Sequence, residues 1–150
     1  MKSGNRTRLF LSYLVKTVAG TLLTLFTISA IAASEAPADA SVYIVSPKNG
    51  DVVTSPVLVQ FGLTGMGVAP AGVDKANTGH HHLLIDVDTL PDMSKPVPSD
   101  KNHRHFGGGQ TEVSVELEPG THTLQLLLGD YSHVPHSKPV VSEKITITVK

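Results

Sequence analysis

The sequence predicts an all-β domain, because short runs rich in β-branched residues alternate with turn residues and no useful helical periodicity appears after residue 40. Some runs place apolar side chains at every second position, as "VLVQFGL" (57–63) does, which is typical of a strand with one buried face. Cysteine is absent from the 150 residues, so the core must stabilise the fold without a disulfide. These observations favour an antiparallel β-sandwich around one core.

Six strands are predicted from the apolar alternation and the turn residues between the runs. They are 41–47, 55–63, 81–88, 111–117, 121–130 and 141–150. The segment 89–110 contains three prolines and three consecutive glycines, so we expect it to be mostly irregular and to take the place of another strand, fourth in chain order. The result is an immunoglobulin-like sandwich of about seven strands.

Residues 1–32 have the pattern of a secretory signal peptide. A basic region and an apolar stretch end in Ala30-Ile31-Ala32, which fits the small-residue rule for cleavage. The stretch is shorter than the ~20 apolar residues of a membrane span, and a retained N-terminal anchor is the alternative. We expect residues 33–40 to be a flexible leader and 41–150 to be a single β-sandwich domain, periplasmic or secreted.

The charge of the predicted mature chain excludes some classes of partner. Cleavage after Ala32 would leave 118 residues with eight basic and thirteen acidic side chains, a net charge of −5. A mildly acidic domain without a basic stripe is not expected to bind nucleic acid or an anionic membrane surface. We expect no stable membrane insertion after cleavage, and the sequence identifies no protein partner.

All eight histidines lie in the predicted mature part, and most have spacings that suit a shared metal. His80 and His82 occupy alternate positions of a strand and point to one face, whereas His81 joins the core face. The candidate metal ligands are His80, His82, His103, His105, His133 and His136. Asp86 and Asp130 are expected to support these ligands from outside, and His81 and His122 are interpreted as structural.

The predicted topology brings the candidate ligands to one end of the sandwich, with His122 at the other. Without cysteine, and with only Met66 and Met93 as sulfur donors in the mature chain, the imidazoles suit Cu(II) or Zn(II) rather than a soft Cu(I) site. The function predicted from these residues is binding of a divalent transition metal by an exported protein.

Several motifs resemble an exported bacterial family catalogued as domain of unknown function 4399. They are "FGLTGMGVAPAG" (61–72), "TGHHHLLID" (78–86), "HFGGGQTE" (105–112), "HTLQLLLGDYSHVPH" (122–136) and "SEKITITV" (142–149). The resemblance covers about residues 61–149 and implies a small secreted or periplasmic β-rich domain. It implies no activity.

Three alternatives to simple metal binding stay open. In a structural or adhesive module, the histidines would only fix loops by hydrogen bonding. In a copper metalloenzyme of superoxide-dismutase-like type, the histidine pairs would hold a redox-active ion. In a pH-responsive module, protonation of clustered histidines would make them repel one another. No convincing catalytic constellation is present, so we expect a protein that is not an enzyme.

Overall fold

The computed structural model describes residues 34–150, which contain nine strands and no helix. The strands are β1 (Ser41–Ser46), β2 (Val52–Val53), β3 (Val57–Thr64), β4 (Gly67–Val68), β5 (Thr78–Ile85), β6 (His103–His105), β7 (Glu112–Val115), β8 (Gly120–Gly129) and β9 (Ile145–Val149). These residues fall within one compact unit. Among them, no helix is long and apolar enough to cross a membrane.

The smaller sheet has three antiparallel strands in the order β1-β3-β7. Burial alternates along β1, as the period of two requires: Val42 and Ile44 are buried, whereas Tyr43 and Val45 face solvent. The alternating apolar residues therefore give this sheet one core face and one outer face.

The larger sheet has six strands in the order β2-β9-β8-β5-β4, with β6 also paired to β5. β5, β8 and β9 form its antiparallel centre, and β5 is buried almost throughout. β2 pairs in parallel with β9, and β4 pairs in parallel with β5. The sheet is therefore mixed, whereas the sequence predicted a purely antiparallel arrangement. β4 and β6 each extend along only part of β5, because β4 meets its beginning and β6 its end.

Side chains from both sheets meet in one core, which gives the fold its sandwich character. Its members include Val42, Ile44, Val57, Val59, Phe61, Val115, Leu83, Ile85, Leu124, Leu126, Leu128, Ile147 and Val149. A second, smaller cluster joins Leu84 and Leu127 on the other face of the larger sheet to Val97. The segment between β5 and β6 therefore covers part of the outer face of this sheet.

The six predicted strands are all present, with ends that differ by a few residues. The sequence did not indicate β2, β4 and β6, because strands of two or three residues carry no periodic signal. β6 lies inside the segment predicted to be mostly irregular. Residues 34–40, predicted to be a flexible leader, include Ala36 as a buried member of the core. The predicted signal peptide lies outside the described residues.

Candidate metal centre

Four histidines from three segments come together beside the larger sheet. His80 and His82 lie on β5, His105 lies on β6, and His133 lies between β8 and β9. Each offers one ring nitrogen, and these four atoms lie within 4.8 Å of one another. The ring centroids are 4.7 Å apart for His105 and His133 and 6.3 Å apart for His82 and His133. We refer to these four residues as the histidine cluster.

The pairing of the strands explains how three of these rings meet. Alternate residues of a strand share a face, so His80 and His82 project together and their ring centroids lie 4.8 Å apart. His105 is the cross-strand partner of His82, which brings its ring within 5.2 Å of the ring of His82. Two strands of ordinary geometry are therefore enough to assemble three imidazoles.

Gly129 on β8 makes room for the ring of His82. A Cβ at this position would lie 3.2 Å from Nδ1 of His82 and only 2.7 Å from Cε1, so the ring or the strand would have to shift. Gly107 has a similar relation to His105, because a Cβ there would lie 2.6 Å from Nε2 of that ring. Sequence reasoning did not assign either glycine to the site. The only sequence signal is the glycine itself, where a strand or loop allows close approach.

The fourth ring, His133, is held by a tight loop organised by Asp130. Oδ1 of Asp130 accepts hydrogen bonds from the backbone N–H groups of Ser132 (2.8 Å) and Val134 (3.1 Å) and from the Ser132 hydroxyl (2.7 Å). His133 has a left-handed backbone with φ 69°, and its carbonyl accepts a 2.9 Å hydrogen bond from the N–H of Val97. Asp130 thus supports the cluster through the backbone, as an aspartate that caps its own turn.

Burial keeps two of the clustered imidazoles neutral. His80 and His82 are 0% and 1% exposed, whereas His105 is exposed and His133 is half-buried. Loss of hydration, together with the neighbouring His105 and His133, lowers the pKa of His80 to about 4. Loss of hydration and the adjacent His80 lower the pKa of His82 to about 3. At neutral pH both rings therefore present lone pairs instead of positive charge.

The protein leaves some nitrogens of these rings without partners. Nε2 of His80 lies 3.1 Å from Nδ1 of His133, so one of these two atoms donates a hydrogen bond to the other. Nδ1 of His80 and Nδ1 of His82 are buried and have no hydrogen-bond partner within residues 34–150. Nε2 of His81 and Nε2 of His136, outside the cluster, are also buried without a partner in this part of the chain, and each such group costs about 1–3 kcal/mol.

The other two predicted ligands lie outside the cluster. His103 stands opposite Leu84 instead of His82, and its Nδ1 donates to Oδ1 of Asp100 at 3.0 Å. His136 is buried beside Gly79, and its Nδ1 shares a 2.8 Å hydrogen bond with the Ser34 hydroxyl. The structure therefore brings together four of the six candidate ligands.

Asp86 lies away from the cluster, in contrast to Asp130. Strand β5 ends at Ile85, and Asp86 turns away with a left-handed φ of 55°. Its Oδ2 accepts a 2.7 Å hydrogen bond from Nδ1 of His122, and this contact raises the pKa of His122. The phase of the strand predicted that Asp86 would support the cluster. Asp86 instead binds His122, because β5 ends one residue earlier, at Ile85.

The two histidines interpreted as structural have protein partners. His81 projects into the core, where its ring lies 5.1 Å from that of Phe61 and Nδ1 lies 3.3 Å from the carbonyl oxygen of Gln110. His122 is held between Asp86 and the carbonyl oxygen of Glu118, which accepts from Nε2 at 2.8 Å. Both contacts fix neighbouring segments of the chain.

Comparison with known proteins identifies a family. No curated protein and no solved structure matches the chain. The sequence model of a domain of unknown function (DUF4399) matches residues 59–150. The matched range contains the whole histidine cluster and strands β4 to β9. It leaves out β1, β2 and the first two residues of β3. The match covers more than half of the sequence. The chain belongs to this family, the DUF4399 domains.

Proposed function

We propose that this protein binds one divalent transition metal ion, Cu(II) or Zn(II), through His80, His82, His105 and His133. The observation that carries the proposal is the convergence of four imidazole nitrogens within 4.8 Å from three separate segments. Metal–nitrogen bonds of ~2.0–2.1 Å separate the ligand atoms by roughly 3.4 Å in a tetrahedron and by about 4 Å across a square plane. The longest separation in the cluster, up to 4.8 Å, would have to shorten by as much as about 1.4 Å to reach the tetrahedral distance.

The chemistry of the donor set suits these two ions. All four donors are imidazoles, which bind Zn(II) and Cu(II) well, and the sequence has no thiolate that would favour Cu(I). A metal competes with protons for these nitrogens, and the lowered pKa values of His80 and His82 remove that competition at neutral pH.

The proposed setting is the periplasm or the extracellular space. The basic region, apolar stretch and Ala30-Ile31-Ala32 of the sequence support export by a cleaved signal peptide. In that setting the protein would sequester or deliver the metal, or use it to hold its loops together. We propose a binding protein and not an enzyme, because the sequence shows no recognisable pattern of a nucleophile with its general base.

The experiment that tests this proposal is a metal titration of the full chain, exported and purified without a polyhistidine tag. We expect one equivalent of Cu(II) or Zn(II) by elemental analysis, and its loss in a His80→Ala/His82→Ala variant. The sharper comparison is His105→Ala against His103→Ala, two histidines of the same short strand, only one of which belongs to the cluster. Equal metal binding by those two variants would overturn the proposed ligand set.

A structural or adhesive module is the second candidate, and one contact favours it. The 3.1 Å approach of His80 Nε2 to His133 Nδ1 is a direct hydrogen bond that fastens the loop after β8 to β5 without any metal. In this case the His80→Ala/His82→Ala variant would unfold at a lower temperature than the parent protein. Neither protein would retain metal after dialysis.

We further propose that the sandwich is of immunoglobulin-like type. A three-stranded and a six-stranded sheet that share one core support this assignment. An experimental structure, compared strand by strand with immunoglobulin-like domains, would test it. A connection order that no such domain shares would rule it out.

A further inference from the structure

We infer that a metal ion held by the histidine cluster takes an additional ligand, a small monoanion, from a pocket beside the cluster. This inference rests on the proposed function. The pocket has a volume of about 210 Å³. Its walls are His82, His105, His133, Pro96, Val97 and Ser99, so three of the four proposed ligands open onto it.

The charge of the site favours an anion as this ligand. Four neutral imidazoles add no negative charge, so a divalent ion would keep its full charge of two in a partly buried site. The carboxylate of Asp130 acts on His80 through its charge, but a single negative charge offsets only part of the charge of a divalent ion. The proposed ligands therefore leave an excess of positive charge that an exogenous anion would offset.

The arrangement of the rings determines the direction from which the anion enters. His80 and His82 are fully buried on β5, whereas His105 and His133 lie closer to solvent on the side of the pocket. The hydroxyl of Ser99 offers one hydrogen-bond donor there, and Pro96 and Val97 are apolar. An apolar wall lowers the local dielectric and strengthens the attraction between metal and anion.

The size and rigidity of the pocket limit the ligand to a small one. A water molecule occupies about 30 Å³ in the liquid, so the pocket equals roughly seven water volumes, below the ~300 Å³ at which ordinary organic-ligand pockets begin. Val97 is 7% exposed, and its N–H donates to the carbonyl of His133, which fixes this wall to the loop that carries a ligand. Inorganic anions of two or three atoms and short carboxylates fit these limits.

Azide is a suitable probe, because its binding to Cu(II) produces a charge-transfer absorption band and changes the electron paramagnetic resonance spectrum. The full chain, loaded with one equivalent of Cu(II), is titrated with azide beside two variants. Ser99→Trp fills the mouth of the pocket from an exposed position, and Ser114→Trp places the same side chain on an exposed position of β7 in the other sheet. We expect azide to bind the parent and Ser114→Trp equally, and Ser99→Trp at least tenfold more weakly with unchanged copper content.

The outcomes separate this inference from the function on which it rests. A parent protein that retains no copper overturns the proposed function. A copper-loaded parent whose spectra ignore azide, or that loses its copper to azide, overturns the inference and leaves the proposed function standing. Equal azide affinity in the parent and Ser99→Trp also overturns it, because the anion would then not use this pocket.

Discussion

His82 meets two opposite demands within the histidine cluster. His82 must lie close to β8 to be buried, and it must keep a ring nitrogen available to a metal. The first demand is met by Gly129, the residue whose missing side chain leaves space for the ring. The second is met by burial, which keeps the ring neutral at physiological pH by lowering its pKa.

Substitution of Gly129 by alanine tests this close approach. The new Cβ would lie 2.7 Å from Cε1 of His82, so either the ring or the strand must move. We expect Gly129→Ala to lower the free energy of unfolding by about 1–3 kcal/mol and to weaken metal binding at least tenfold. Urea unfolding and competition titration would measure these effects. Gly67→Ala is the control, because its Cβ would meet nothing closer than 3.5 Å.

The lowered pKa values predict how the metal-free protein responds to acid. His80 and His82 have pKa values of about 4 and 3 in the folded protein, below the ordinary value of 6.5. Below about pH 6.5 the unfolded chain therefore binds more protons than the folded one, and stability decreases as the pH falls towards 4. Each histidine contributes up to about 1.4 kcal/mol per pH unit in this window.

Urea unfolding of the metal-free protein between about pH 7 and pH 4.5 measures this slope. A His80→Gln/His82→Gln variant is the comparison, because glutamine keeps a polar side chain and removes the titration. We expect a smaller slope in the variant than in the parent. Identical slopes would mean that the two rings do not carry the acid sensitivity.

At the level of elements, the sequence predicted the strands well and the contents of the site less completely. The alternation in "HHHLLI" placed His80 and His82 on one face of β5, where the structure has them. The same rule predicted that His103 and Asp86 would lie near them. Two residues advance a strand by ~6.7 Å, so His103 lies opposite Leu84 and not opposite His82. Asp86 lies beyond the end of β5. Periodicity gives the face that a side chain points to, and not the residue at which a strand ends or the register of its pairing.

Asp130 joins the end of β8 to the loop that carries His133, so it offers a test at the level of this element. Removal of its carboxylate frees the N–H groups of Ser132 and Val134 and loosens the loop without touching a ring. We expect Asp130→Ala to weaken metal binding about tenfold or more, because ordering the loop would then cost free energy on binding. Competition titration with a chelator would measure the change.

Asp92→Ala is a matched control for that substitution. Asp92 makes the same kind of turn, with its Oδ1 accepting from the N–H and the hydroxyl of Ser94, but it carries no ligand of the cluster. We expect this variant to bind metal like the parent protein. Equal weakening by both substitutions would show that any loosened loop has this effect and that Asp130 has no special role.

At the level of the whole molecule, the proposed metal would join parts of the domain that are distant in sequence. His80 and His105 are on neighbouring strands, whereas His133 follows β8. The chain has no cysteine, so a metal would provide a cross-link that no disulfide supplies. The contact of His122 with Asp86 holds β8 to the end of β5 without any ligand of the cluster, and it does not depend on metal.

Metal binding should therefore stabilise the domain, and most strongly around the cluster. A ligand that binds only the folded state adds about 2.7 kcal/mol when its free concentration is a hundred times the dissociation constant. We expect Zn(II) to raise the unfolding temperature of the parent and not of His80→Ala/His82→Ala, and a chelator to reverse the effect. Hydrogen exchange should slow in residues 103–105 and 130–136 and stay unchanged around His122. Slower exchange throughout the domain with no change in unfolding temperature would contradict a local cross-link, because a cross-link protects first the segments that it joins.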